Sequence, residues 1–246
     1  MDDRSLTLLE AVAYLAEGAT ARAIATHTGL PQATAYRRLG ELETLGVLEL
    51  SGRSYRLGPR LYRLLASGLP HETLKQQLAP AASRIAEATG EVCFAGRLVD
   101  KRIEIFLTQK PNTVKGPMVV PPHGLRPVTV CSAAKAILAF VPKGLRDDVV
   151  RQNRVALPEA PQRPLPDFEA DLATVRDTGV AHCIGDEDPD CASIAVPLKV
   201  FGGYGQLCLG LSGTRNRIQS KLDQTLTRDF QAEANALDVT ELLNVA

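Results

Sequence analysis

The sequence predicts an α+β protein of two domains, a small helical domain that ends in a β-hairpin and a larger domain built around a β-sheet. Two observations lead to this prediction. Apolar residues recur at helical spacing through residues 8–45, and short strand-like runs alternate with helical stretches beyond residue 90. The chain has 246 residues, of which 45% are hydrophobic, enough to bury a core in each domain. The expected boundaries are 1–69 and 70–246.

Helices are predicted at the start of the chain. Leu8 and Val12 recur at helical spacing and mark the first helix. Thr20 can cap a second helix that runs to about His27, because a threonine side-chain oxygen accepts a hydrogen bond from a free N–H of the first turn. Residues 28–30 then form a turn of the length found between the helices of a helix-turn-helix.

A third helix and a hairpin complete the first domain. Pro31 suits the first turn of that helix, where its missing N–H has no partner to lose, and Gly46 ends it. Residues 47–50 and 54–57 are then expected to form two strands around a tight Ser-Gly-Arg turn. Three helices followed by such a hairpin describe a winged helix-turn-helix, and a helical segment over 60–69 leads out of it.

Beyond that segment, helices and short strands alternate without an internal repeat. The expected helices cover 71–89, 132–140, 146–152, 167–177 and 218–243. The expected strands cover 91–99, 102–109, 180–184, 193–200 and 206–212. This order predicts an α+β sheet domain, an architecture that hosts many functions and identifies none of them by itself.

The third helix carries side chains that could read DNA. At about 100° per residue, Ala35, Leu39 and Leu42 share the face that packs on the other helices. Glutamine can pair bidentately with adenine and arginine with guanine, while threonine and tyrosine hydroxyls suit phosphates. The outward face, its flanks and the hairpin turn therefore supply the expected DNA-binding residues: Gln32, Ala33, Thr34, Tyr36, Arg37, Arg38 and Arg53.

Charge supports this expectation only locally. The formal net charge of the chain is zero, so contact with DNA requires a basic cluster. Between Thr20 and Arg63 there are seven arginines and three glutamates, and the planar guanidinium group suits phosphates and base edges. A solvated arginine face, or a winged-helix adaptor that binds only protein, would explain the same pattern without DNA.

Four segments resemble one family of bacterial transcription factors, named after the isocitrate lyase regulator (IclR). Residues 29–39, GLPQATAYRRL, resemble its recognition helix GLPxSTxxRLL, and residues 55–58, YRLG, resemble the YxLG end of its wing. Residues 127–139, PVTVCSAAKAILA, are similar to its PLHxTAxGKAxLA segment, and residues 179–197 are similar to its GYA…CIAAP pattern. The four occur in the family's order across nearly the whole chain.

The resemblance implies a GAF-like α+β effector-binding domain behind the winged helix-turn-helix. It also implies a homodimer or homotetramer on palindromic operator DNA, controlled by a small organic acid or an aromatic metabolite. We therefore expect a transcriptional regulator, a repressor of a catabolic operon, and not an enzyme. The chain departs from the family pattern at Cys131, Ala134, Cys183 and Ser193, where Thr, Gly, an acidic residue and Cys are usual.

The residues themselves also suggest an effector site. The loop 122–127 leads into a helix that begins near Cys131, and the free N–H groups of a helix start suit a carboxylate or another anion. Ser132 can cap this helix and Arg126 can clamp a carboxylate. An arginine that only stabilises its loop, and cysteines that only fill the core, are the alternatives. The expected effector-binding residues are Arg126, Cys131, Ser132, Cys183 and Ser193.

The remaining features limit the classes of function. Five cysteines without CxxC spacing argue against a disulfide framework or a zinc ribbon, so no metal and no cofactor are expected, while a cysteine-based redox-responsive regulator stays an alternative. A helix start would favour the thiolate of Cys131, but an enzyme using it with His123 or His182 would leave the first domain unexplained. No targeting segment and no run of about 18 apolar residues is present, so we expect a cytoplasmic protein without a membrane partner.

Overall fold

The computed structural model describes residues 3–68, 70–113, 116–200, 203–222, 224–237 and 239. The chain divides into two units, Met1–Gly68 and Leu69–Ala246. Two sequence-based expectations extend beyond the described residues: the side chain of Arg63 in the basic cluster, and residues 240–243 of the last predicted helix.

The first unit has the predicted order of helices followed by a hairpin. Its elements are α1 (Asp3–Leu15), a 3₁₀ turn (Ala16–Gly18), α2 (Ala21–Thr28), α3 (Gln32–Thr44), β1 (Leu48–Ser51), β2 (Ser54–Leu57) and α4 (Pro59–Ser67). The apolar faces of the first three helices meet in one core, where Leu8, Ile24 and Leu39 are buried. The antiparallel hairpin is anchored beside α2, because the N–H of Tyr55 donates to the carbonyl of Ala19 (2.9 Å).

The ends of α2 and α3 define the turn between them. Thr20 Oγ1 accepts a hydrogen bond from the N–H of Ala23 (3.2 Å), which is the predicted cap. Gly29 follows α2 at φ = 68°, a left-handed conformation that a residue without Cβ adopts readily. Pro31 precedes α3 instead of lying in its first turn: its backbone is extended (ψ = 135°), and its carbonyl accepts from the N–H of Ala35 (3.0 Å). The sequence prediction for Pro31 was therefore wrong by one position.

The second unit is an α+β domain. Its helices are α5 (His71–Thr89), α6 (Ser132–Leu138), α7 (Lys143–Ala156), α8 (Leu165–Thr178), α9 (Arg215–Lys221) and α10 (Gln224–Ala236). Its strands are β3 (Val92–Val99), β4 (Arg102–Gln109), β5 (Gly124–Leu125), β6 (Ala181–Ile184), β7 (Cys191–Val200) and β8 (Gly203–Thr214). The predicted fold class, a winged helix-turn-helix followed by an α+β domain, is confirmed.

One antiparallel sheet organises this unit, with the strand order β5-β4-β3-β8-β7-β6. The central strand β3 is buried at consecutive positions, which indicates that both faces of the sheet are covered there. Helix α5 packs on β3 and β4, while α6 packs on β6, β7 and β8. The start of α6 thus lies beside the strands that carry two of the predicted effector residues.

The end of the chain differs from the prediction. The single helix expected over 218–243 is instead two helices, because α9 ends at Lys221 and Leu222 no longer has helical geometry. Buried Glu91 holds α9 from the side: its Oε1 lies 2.9 Å from Arg217 Nε and 2.6 Å from Lys221 Nζ. The short strand β5, which pairs with β4, was also not predicted. Among the described residues, no helix combines the length and the apolar character needed to cross a membrane.

Candidate functional site

The face of helix α3 that is turned away from the core of the first unit is polar and basic. Ala35, Leu39 and Leu42 are buried in the core, as their spacing predicts. Of the residues expected to contact DNA, Gln32, Ala33, Tyr36, Arg37 and Arg53 are exposed, and Thr34 and Arg38 are half-buried at the flanks. This places base-reading and phosphate-binding side chain types together on one surface.

Arg37 is available to a ligand at little cost. Its guanidinium forms an ion pair with Glu41 one helical turn away, and 62% of the Arg37 side chain is exposed. Exposed pairs of this kind contribute only about 0.3–0.5 kcal/mol. Arg22 and Arg56 are exposed as well, so the basic character extends from α2 to the hairpin.

The second unit contains a cavity of about 210 Å³ beside the start of α6. All five predicted effector residues, Arg126, Cys131, Ser132, Cys183 and Ser193, line it. The other described residues of its wall are Phe94, Ile105, Val119, Val120, Pro121, Pro122, Glu187, Asp188, Cys191, Ala192 and Ser212. The wall is therefore mainly apolar, with a few polar groups, as is usual for a small-molecule site.

Strand register brings the hydroxyl groups of this cavity together. Ser193 lies opposite Cys183 in the pairing of β6 with β7, and its Oγ shares a hydrogen bond with Ser132 Oγ (2.7 Å). Ser132 is the first residue of α6 and does not cap it: Cys131 holds the cap position and makes no side-chain capping bond. The predicted capping role of Ser132 is therefore wrong, because its hydroxyl is turned to Ser193 instead.

Arg126 is held by groups of the protein itself. Its Nη2 lies 2.5 and 2.6 Å from the two carboxylate oxygens of Glu187. Its backbone N–H donates to Ile103 and its carbonyl accepts from Asn153 Nδ2 (2.8 Å), which fixes the loop. The carboxylate that Arg126 clamps belongs to this chain, which corresponds to the alternative of an arginine that stabilises its loop.

The turn between β6 and β7, residues 185–190, is tied to the core by a cluster of ion pairs. The Lys135 side chain is only 2% exposed, and its Nζ lies 2.8 Å from Asp186 and 2.9 Å from Asp171. Arg163 Nη1 lies 3.1 Å from the other oxygen of Asp186. Two cations and two carboxylates thus form a neutral cluster that fixes the residue next to Glu187.

Two cysteines of the pocket, Cys131 and Cys183, are buried, and a third, Cys191, is half-buried. Burial raises the pKa of Cys131, and the nearby Arg126 counteracts this only in part. Burial also raises the pKa of Cys183 to about 12, and its Sγ donates to the carbonyl of Val130 (2.7 Å). Burial therefore opposes the thiolate that a helix start would favour at Cys131, and the environments of Cys131 and Cys183 give the redox-responsive alternative no support.

Sequence reasoning missed several residues of the pocket. Glu187 and Asp188 belong to an acidic run, GDEDPD, that could have marked the turn, but nothing local tied it to Arg126. Ser212 donates to the carbonyl of Val119 (2.6 Å) and closes the wall on the side of β8. Phe94 lies across Gly210, where a Cβ would overlap its ring. In the described part of the chain, no three His, Cys, Asp or Glu side chains are grouped to hold a metal ion.

Comparison with known proteins agrees with this arrangement. The profile of the IclR helix-turn-helix domain matches residues 3–52, and that of the C-terminal domain of bacterial IclR transcriptional regulators matches residues 67–239. The HTH-type transcriptional regulator TtgV of Pseudomonas putida is 27% identical over 224 residues, which cover 89% of this chain and 84% of TtgV.

Solved structures share the fold. An IclR transcriptional regulator from Silicibacter sp. TM1040 has a TM-score of 0.60 at 22% identity, covering 100% of this chain and 97% of its own. An IclR homologue from Microbacterium hydrocarbonoxydans, crystallised with 4-hydroxybenzoate, has a TM-score of 0.52 at 18% identity, covering 94% and 98%. The two domain profiles span most of the sequence, so this chain belongs to the IclR family of DNA-binding transcriptional regulators and is not an enzyme.

Proposed function

We propose that this regulator is a repressor of a catabolic operon that binds a palindromic operator through α3, as a homodimer or homotetramer, and releases it when a small aromatic metabolite binds. The observation that carries the proposal is the exposed face of α3, which combines Gln32 and Arg37 with an opposite face that is fully apolar. Recognition helices place such residues near their N-terminus, where the helix enters the major groove. Arg53 at the hairpin turn would then reach the DNA backbone or the minor groove.

The pocket supports an aromatic effector better than a small organic acid. Its wall is built largely from Phe94, Ile105 and the Val-Val-Pro-Pro segment over 119–122. Among the described residues of the wall, the one arginine already pairs with Glu187, so its positive charge is compensated before an acid could bind. The solved relatives share only the fold with this chain, so an aromatic effector is inferred from the residues of its own pocket.

Release of DNA requires a difference in effector affinity between the arrangements that do and do not fit the operator. Residues 60–89 connect the two units along the chain, so they are the covalent route by which occupancy of the pocket can influence α3. Without such a difference in affinity, even tight effector binding would leave DNA binding unchanged.

Fluorescence anisotropy with the DNA upstream of the protein's own gene tests the proposal. Wild type, Arg37→Ala and the control Arg151→Ala should be titrated at two salt concentrations. Arg151 is 69% exposed and paired with a carboxylate on its own helix, but it lies in the second unit. We expect Arg37→Ala to lose about 1–3 kcal/mol of operator binding, and the control to match wild type.

Specific binding should also fall with salt, because phosphate contacts release counterions. Aromatic metabolites and organic acids can then be screened in the same assay for release of the DNA. Equal affinity of wild type for genomic fragments and random DNA, with and without these compounds, would contradict the proposal. Equal affinities of Arg37→Ala and Arg151→Ala for the operator would show that α3 does not recognise the DNA.

A further inference from the structure

The charges in the pocket are unfavourable for an anion. Among the described residues that line the cavity, Arg126 is the only cation, whereas Glu187 and Asp188 are both carboxylates. A bound carboxylate would therefore meet an arginine that is already neutralised and a second negative charge nearby. Like charges nearby disfavour the ionised form of a ligand, as they do that of a side chain.

Glu187 is not free to make room for a ligand carboxylate. Both of its oxygens lie within 2.6 Å of Arg126 Nη2, and the adjacent Asp186 is held by Lys135 and Arg163. The turn is closed further by the N–H of Gly185, which donates to the carbonyl of Cys191 (2.9 Å). A ligand carboxylate would therefore have to compete with Glu187 for Arg126, beside a turn whose backbone is held in place.

Several polar groups beside the pocket are enclosed or already engaged. The Arg126 side chain is only 10% exposed, and its Nε is buried with no hydrogen-bond partner among the described residues. The hydroxyl groups nearby are already engaged: Ser132 with Ser193, and Ser212 with the carbonyl of Val119. Arg126 Nε has almost no accessible surface, so a molecule in the cavity cannot accept its N–H. With these hydroxyl groups engaged as well, the wall compensates poorly for the desolvation of a charged ligand.

We propose that the pocket selects an uncharged, single-ring molecule, and that Glu187 excludes carboxylates of the same shape. A cavity of about 210 Å³ with a mainly apolar wall accommodates one ring and one small polar substituent. This inference rests on the proposed role of the pocket as the effector site. It assigns Glu187 as the residue that determines the charge of the effector.

Pairs of neutral and anionic compounds of matched shape test this. Isothermal titration calorimetry of the full chain should compare benzamide with benzoate, and 4-hydroxybenzamide with 4-hydroxybenzoate. We expect the wild type to bind each amide at least about tenfold tighter than its carboxylate. In Glu187→Gln, which frees the charge of Arg126, the affinity for the carboxylates should rise by about tenfold and remove most of the preference for the amides. The control Asp188→Asn changes an exposed acid of the same wall and should shift the ratio less.

The wild-type ratio tests the inference even if Glu187→Gln folds poorly. Equal or tighter binding of the carboxylates by wild type would overturn it, and so would an unchanged ratio in a folded Glu187→Gln. Failure of all four compounds to bind wild type would overturn it too, since the pocket would not accept a ring of this size. In each of these cases operator binding would be intact, whereas failure of the proposed function would appear as loss of specific DNA binding.

Discussion

Replacing Lys135 by methionine is expected to destabilise the second unit by about 3–5 kcal/mol, the range for removing one partner of a buried ion pair. The Lys135 ammonium lies 2.8 Å from Asp186, 2.9 Å from Asp171 and 3.0 Å from the carbonyl of His182. Methionine has a similar length and no branch, so it leaves little cavity. The loss therefore measures charge compensation: two carboxylates would face Arg163 alone.

Urea denaturation followed by circular dichroism measures this difference. At roughly 2–4 °C per kcal/mol for a unit of this size, this loss of free energy corresponds to a fall in melting temperature of roughly 6–20 °C. Lys143→Met is the matched control, because Lys143 is 76% exposed and pairs with Asp147 on its own helix. The control should lose less than about 0.5 kcal/mol. Equal stability of Lys135→Met and the control would refute the view that the buried ammonium holds the turn.

Two further outcomes are expected. Gly210→Ala should lower the free energy of unfolding by about 1–3 kcal/mol and weaken effector binding, because the new Cβ would displace the ring of Phe94 from the pocket wall. The control Gly144→Ala, with open space around its Cβ, should do neither. Equal effects of the two substitutions in urea denaturation and calorimetry would contradict this expectation. Burial raises the pKa of Cys93 and Cys183 to about 12 from an ordinary 9.0, so the folded state keeps these protons after the unfolded chain has lost them. The free energy of unfolding should thus fall as the pH rises above 9, by about 1.4 kcal/mol per pH unit for each thiol. Denaturation curves from pH 8 to 11 should show that this free energy falls less steeply with pH in Cys93→Ala than in wild type. Identical slopes for the two proteins would contradict the assignment.

The first unit shows how much local pattern can predict. Helical spacing of apolar residues identified the buried face of α3 through Ala35, Leu39 and Leu42, and the opposite face followed without further information. Thr20 was found as a cap because capping depends on residues within one turn. Pro31 was misplaced by one position, since a proline suits both the first helical residue and the extended residue before it.

The C-terminal helix marks the limit of this approach. Its apolar spacing runs through 218–243 and contains no signal for a break. The break follows Lys221, whose ammonium binds Glu91, a residue 130 positions earlier in the chain. A contact of that kind leaves no trace in the periodicity of either segment.

The sequence by itself determined the winged helix-turn-helix, the face that could read DNA, and five residues that line the pocket, because periodicity, caps and motifs act over a few neighbouring residues. Only the tertiary structure decided how those pocket residues are used. Ser132 meets Ser193, and Arg126 meets Glu187, each across 61 positions, while Lys135 reaches Asp186 across 51. These partners are set by the register of β6 and β7 and by the packing of α6, which depend on the whole sheet having formed.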